Sequence, residues 1–421
     1  VRDDPEVLTQ FIHRCRAREV TATELLHCLR RVDQLRQSKS GEDRKIDDRV
    51  LFGVLLVLGE YRPEDLPITE REALISQLGD WYARDPNSGI HGATGWLLRH
   101  WGFPEQARKV DQTPVEYALD REWFTLEVKP KSGDDAASSV ENQTPEPSFY
   151  LTFVVFEPNA YLIGSPSNEP VREFDETLHK VCVTRPFAIL DREILRGELQ
   201  AFGLSNPAAD ERTGITPDHP AGGPNWYDAV RFCRWLGKQS GLTEDEQPYP
   251  DPNTLDPEKY PMDPQPHAQG APRDWPVRLD RSGFRLPTEA EWEIACRGGM
   301  RTPYGFGGDV TLLHHYGWFR DNSEEKGHLS RSLRPSFRGL FDMHGNVWEW
   351  CHDWFGDRYP NNQIKDPIGT SQRSARVERG GSWFIGARYC RSADRDGDMP
   401  SDRTKSVGFR VALIPSGQAR R

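Results

Sequence analysis

The stretch "GLFDMHGNVWEWCHDW", residues 339–354, decides how this chain is read. Sixteen positions hold three tryptophans, two glycines, two histidines and a cysteine, with acidic residues between them. That mixture suits a metal site, a catalytic centre or a stiff piece of core pinned by aromatic side chains.

Composition narrows the setting. A chain of 421 residues is long enough for two or three domains, each with its own core. Its net charge of -11 argues against broad binding of nucleic acid or anionic membrane. The most apolar run, "VLFGVLLVLGEY" (50–61), is too short to span a bilayer and reads as a buried helix. No charged segment followed by an apolar one marks a secretory signal, so a cytoplasmic location is expected. The chain starts at Val1, which leaves room for an upstream segment. Cys15, Cys28, Cys182, Cys233, Cys296, Cys351 and Cys390 are scattered without a CxxC pair and read as reduced, packed thiols.

Texture divides the chain. Residues 4–123 carry helical periodicity, and 1–129 are expected to form a helical, HEAT-like array. "TATELLHCLRRVDQLRQ" (21–37) opens with a Thr-x-x-Glu capping box at Thr21 or Thr23, and "TEREALISQLGDWYARD" (69–85) suggests Thr69 as N-cap with Glu72 at N3. His13, His27, His91 and His100 share no metal-ligand spacing and read as packing or surface residues. Residues 130–148 read as a linker, and strands are expected over 149–158, 160–166 and 179–190. "NWYDAVRFCRWLGKQSG" (225–241) and "RLPTEAEWEIACRGG" (285–299) read as helices, the second with Thr288 as N-cap and Gly298 near its end. Between them, 244–276 holds nine prolines and reads as a surface insertion. Residues 416–421 are a tail.

Five blocks then occur in order: "GFRLPTEAEWEIACRGG", "GLFDMHGNVWEWCHDW", "RVERGGSWF", "CRSADR" and "GFRVAL". With "YLIGSP", "RPFAIL" and "HPAGGPNWYDAVRFCRWL" upstream, residues 149–415 resemble the formylglycine-generating enzyme (sulfatase-modifying factor) family. The resemblance implies an α+β fold, a C-type-lectin-like variant with little regular secondary structure, preceded here by the helical unit. "DPNSGIHGATGWLLRHWG" (85–102) resembles a segment that precedes such domains in multidomain bacterial proteins, some with kinase domains.

Family members that make formylglycine oxidise a substrate cysteine with copper held by two cysteines. Anchored at Gly380-Gly381, the second falls on Cys390, a weak catalytic candidate, and the first on Ile385, which binds no metal. Copper is therefore not expected. Neither is the iron of a second branch, because its HxxxHxE-type signature is absent. The resemblance does imply calcium, held by Asp342, the carbonyls of Gly345 and Val347, and Glu349. A hard ion wants such mixed oxygens from a tight loop. The family's second calcium loop would fall near Asp321, Asn322 and Ser323.

Trp348, Trp350, Trp354 and Trp383 read as core pins, and His344 and His352 are expected to face loops or solvent. The resemblance also places a ligand face after "GGSW". There Trp383, Arg388 and Arg403 are candidates to line a groove for an acidic peptide, with Arg391 beside them and Arg395 and Arg410 read as loop-anchoring ion pairs. The expected function is a non-catalytic binding or scaffold protein with a peptide or protein partner. The alternative is a metal-dependent oxidase of thiol or sulfur substrates.

Overall fold

The computed structural model describes residues 5–130, 148–204, 215–255, 275–356, 364–370 and 374–415. Most of the linker, the centre of the proline-rich insertion (256–274) and the tail 416–421 lie outside the described residues.

Six helices lead: α1 (Pro5–Arg14), α2 (Ala22–Gln37), α3 (Gly41–Leu58), α4 (Ile68–Arg84), α5 (Ser88–His100) and α6 (Pro104–Asp111). Helix α2 starts at a capping box, and of the two candidate threonines it is Thr21, paired with Glu24, that forms it. Helix α4 starts one residue before the expected cap: Pro67, lacking an N–H and fixed near helical φ, precedes Ile68, and Thr69 falls inside the first turn. Helix α6 was not foreseen. Apolar faces of α2 and α3 (Leu25, Leu26, Leu29, Leu51, Leu55 and Leu58) bury completely or nearly so.

Residues 123–128, read as part of the helical array, instead form strand β1 (Trp123–Val128), paired antiparallel with β2 (Phe149–Phe156). The strands flanking the expected linker thus belong to one sheet. Strands β3 (Asn159–Ile163), β4 (His179–Val183) and β5 (Phe187–Leu190) follow. The single strand expected over 179–190 is split at Pro186, so β4 joins β3 while β5 joins β2. Helices α7 (Arg196–Ala201), α8 (Trp226–Gln239) and α9 (Glu289–Arg297) come next. The opening stretch supplies β6 (Trp348–Trp354), followed by β7 (Ile364–Lys365), β8 (Arg376–Arg379), β9 (Arg395–Asp398), β10 (Val407–Gly408) and β11 (Ala412–Leu413). The sheets run β1-β2-β5-β11, β10-β6-β8-β9 and β3-β4-β7.

Tryptophan indoles stitch the C-terminal unit by their N–H groups. Trp226 donates to Cys351 O (2.9 Å) and Trp350 to Pro224 O (3.0 Å), while Arg376 lies between the rings of Trp226 and Trp354. The helices are not a separate bead. One apolar core joins Leu25, Leu55 and Leu97 to Tyr304, Phe306, Tyr316 and Phe341.

Helix α5 approaches the C-terminal unit through glycine. A Cβ at Gly89 would lie 2.1 Å from Phe337 O, and one at Gly92 2.8 Å from Gly339 Cα. Residues Gly89 and Gly92 therefore let a helix backbone rest on the start of the 339–354 stretch.

Candidate functional site

Strand β6 is entered through a loop whose path needs positive φ at Asp342 (59°), Gly345 (139°) and Asn346 (67°). At Gly345 a Cβ would come within 2.2 Å of Trp318 O. Asn346 N–H donates to that carbonyl (2.7 Å), and Trp383 N–H donates to Asn346 O (2.7 Å). The loop is thereby bonded to two segments that precede and follow it in the chain.

Three buried carboxylates gather there. Glu349 accepts from Arg410 Nε and a terminal nitrogen of the same guanidinium (both 2.6 Å) and from Trp292 Nε1 (2.7 Å). Asp342 Oδ2 accepts from Ser330 Oγ (2.7 Å) and Arg331 N (3.0 Å), while its Oδ1 is buried without a hydrogen-bond partner. Glu193, just after β5, is fully buried and has only long contacts of 3.4 Å, to Ser330 Oγ, Asn346 Nδ2 and Val347 N. Burial, then the charges of Asp342 and Glu349, push the Glu193 carboxyl well above its ordinary range despite Arg410. Burial also raises Asp342.

Carboxylate and carbonyl oxygens are the donor type that a hard cation takes. Asp342 offers an unpaired oxygen, and Glu193 adds a poorly satisfied carboxylate that sequence reading missed. In the sequence it stands three residues past the strand "RPFAIL", after Asp191 and Arg192, with nothing to set it apart from them. Glu349 stands differently from the expectation: its carboxylate is primarily the partner of Arg410, with a remaining lone pair on Oε1. At the place of the second calcium loop, the Asn322 side chain is engaged within the chain. That side chain accepts from Phe319 N and donates to Gly317 O, and Asp321 is largely exposed.

Cys390 is fully buried, and burial first, then Asp394, pushes its thiol far above the ordinary range. Ile385 packs on the apolar core that surrounds Trp226 and Trp350. His344 and His352, expected near solvent, are both buried. Gly305 N donates to His344 Nε2 (3.0 Å), so His344 Nδ1–H donates to Cys390 O (2.8 Å) and the neutral tautomer is fixed. Burial lowers His344 to about 4. His352 sits against Tyr249 and Trp226.

The candidate ligand face is only partly assembled. Trp383 is half-buried, and Arg388 lies exposed over the Tyr389 ring (4.3 Å). Arg403 pairs with the buried Asp228 at the start of α8. Arg391, a groove candidate, is instead buried against Glu169 (2.9 Å) and Glu176 (2.5 Å). Arg395 and Arg410 are core ion pairs, with Glu289 and Glu349 respectively. Phe384, which sequence reading passed over, is 61% exposed beside Trp383.

Fold and site together define an α+β protein whose second unit is built on a tryptophan-pinned, acid-lined loop. The chain belongs to the family of sulfatase-modifying factor enzyme 1-like domains, whose model matches residues 146–414. It is similar to a formylglycine-generating enzyme of Streptomyces coelicolor, 33% identical over 219 residues, which cover 48% of this chain and 55% of that protein. It is also similar to the serine/threonine-protein kinase Pkn1 of Chlamydia trachomatis, 37% identical over 200 residues that cover 46% of this chain and 24% of that one. Among solved structures, Treponema denticola variable protein 1 superimposes with a TM-score of 0.55 at 28% identity, covering 66% of this chain and all of that one. The chain spans about half the length of the formylglycine-generating enzymes it matches, 55% and 44% for those of Streptomyces coelicolor and Bos taurus. Among the described residues no helix is long and apolar enough to cross a membrane.

Proposed function

We propose that this chain is a non-catalytic binding scaffold, its C-terminal unit held rigid by one calcium ion and its partner a protein or peptide. The observation that carries the reading is the state of Cys390. The only thiol aligned with a copper ligand is fully buried, and its would-be companion is Ile385. A copper–thiolate oxidase needs deprotonated sulfurs that a substrate thiol can approach.

Calcium would be held by Asp342, the carbonyls of Gly345 and Val347, and Glu193, with Glu349 kept in place by Arg410 and Trp292. Its charge would offset the surplus of three buried carboxylates over one guanidinium. Partner recognition falls to the exposed edge after Gly381, where Phe384 and Arg388 combine an apolar face with a cation. Aromatic and arginine side chains of this kind serve as anchors for a peptide carrying carboxylates.

Loading the protein with copper or iron and following oxygen consumption with thiol peptides tests the reading. No turnover is expected. Metal-dependent turnover abolished by Cys390→Ser would make the chain an oxidase.

A further inference from the structure

A second set of metal-type donors lies where the helical array meets the C-terminal unit. His13 comes from α1, Glu60 follows α3, and His315 ends a short 3-10 turn, Val310–His315. One donor atom from each lies within 4.8 Å of the other two. Sequence spacing could not reveal the set, because the fold alone brings His315 to α1.

We propose that His13, Glu60 and His315 bind one divalent transition-metal ion of the zinc class, clamping the helical array to the C-terminal unit. Two imidazoles and one carboxylate suit zinc, cobalt or nickel, whereas calcium asks for six or more oxygens. All three residues are partly buried, and a cavity of about 390 Å³ opens beside them, lined in part by Tyr61, Trp96, His100 and His314. A three-residue set leaves a coordination position facing that cavity. The His13 and His315 rings stack with centroids 4.6 Å apart, and Tyr316 OH lies 3.2 Å from His13 Nε2, a partner that orients the ring.

Arg334 stands in the ion's place. Its guanidinium bonds Glu60 and approaches His13 Nδ1 at 3.2 Å. It cannot surrender a proton, so it and the ion exclude each other from these donors. An alternative seat is at hand, because the guanidinium already lies 5.5 Å from the Trp96 ring centre on the cavity wall. Metal entry exchanges one resident cation for another.

Cobalt(II) alone, titrated into the full chain after metal removal and with calcium in excess, tests this independently of the calcium site. Its visible absorption bands report nitrogen ligation. One equivalent is expected in the wild type, zinc should displace it, and binding should be lost in His13→Ala and His315→Ala. His100→Ala and His314→Ala should retain it, and Arg334→Ala should bind at least as tightly as wild type. Absence of cobalt bands in the wild type overturns the proposal even if a variant fails to fold. So does binding that survives the His13→Ala/His315→Ala double change, or that occurs in Arg334→Ala alone.

Discussion

At Glu193 two penalties meet, because the carboxyl is removed from water and faces Asp342 and Glu349. Its folded pKa lies above the unfolded value. The apo protein therefore holds its Glu193 contribution below pH about 4.3 and loses it as pH rises through the folded value. Bound calcium favours the ionised form, so its stabilising effect should grow from pH 5 to pH 8. Glu193→Gln is expected to act in opposite directions: the apo protein melts higher than wild type at pH 8, and the calcium-induced rise in melting temperature shrinks. Thermal melts with calcium and with chelator at both pH values, together with elemental analysis, check this. An unchanged melting temperature with no bound metal would sink the calcium reading. Asp353 offers a parallel case without metal. Burial and the Glu289 charge raise it to about 8, so stability should fall as pH rises from 4 through 8, and Asp353→Asn should flatten that fall.

At the scale of the element, two glycines in neighbouring helices should respond oppositely to the same change. Gly92 of α5 rests on Gly339 Cα, and a methyl group there meets backbone, not a yielding side chain. Gly92→Ala is expected to cost about 1–3 kcal/mol. Gly79 of α4 has nothing within 4 Å of its would-be Cβ, and Gly79→Ala should stabilise by about 0.5–1 kcal/mol through helix propensity. Denaturant melts of the two variants measure both. The contrast marks what sequence conveys. Periodicity placed α2, α8 and α9, and caps marked the starts of α2 and α9, since Thr21 and Thr288 act on their own next turn; the Asn225 cap of α8 was passed over. The ordered blocks around "GNVWEW" carried the fold of the C-terminal unit. Docking of α5 against residue 339 and the pairing of β1 with β2 are long-range, and no local pattern encodes them. The site divides the same way: Asp342 lay within a readable loop, whereas Glu193 reaches it only because β5 ends beside that loop.

For the whole molecule, the decisive feature is that the helices and the family domain share one apolar core. Arg331 shows how the two are joined. Its guanidinium, 11% exposed, reaches Asp111 at the end of α6 (3.4 Å) and Asp191 after β5 (2.6 Å). Burial works to raise Asp111, yet Arg99 and Arg331 hold it down to about 2. Removing one partner of such a buried network leaves the others uncompensated, which costs about 3–5 kcal/mol. Arg331→Ala should therefore lower stability by that order and raise Asp111 toward the ordinary carboxylate range. Because the apolar core runs through both units, wild-type unfolding should be one transition, with helix loss by circular dichroism coincident with tryptophan exposure by fluorescence. If Arg331 is a principal coupling, Arg331→Ala should separate the two signals, the helical one melting first. Coincident curves in the variant would place the coupling in the shared apolar core and the α5 glycine contact instead.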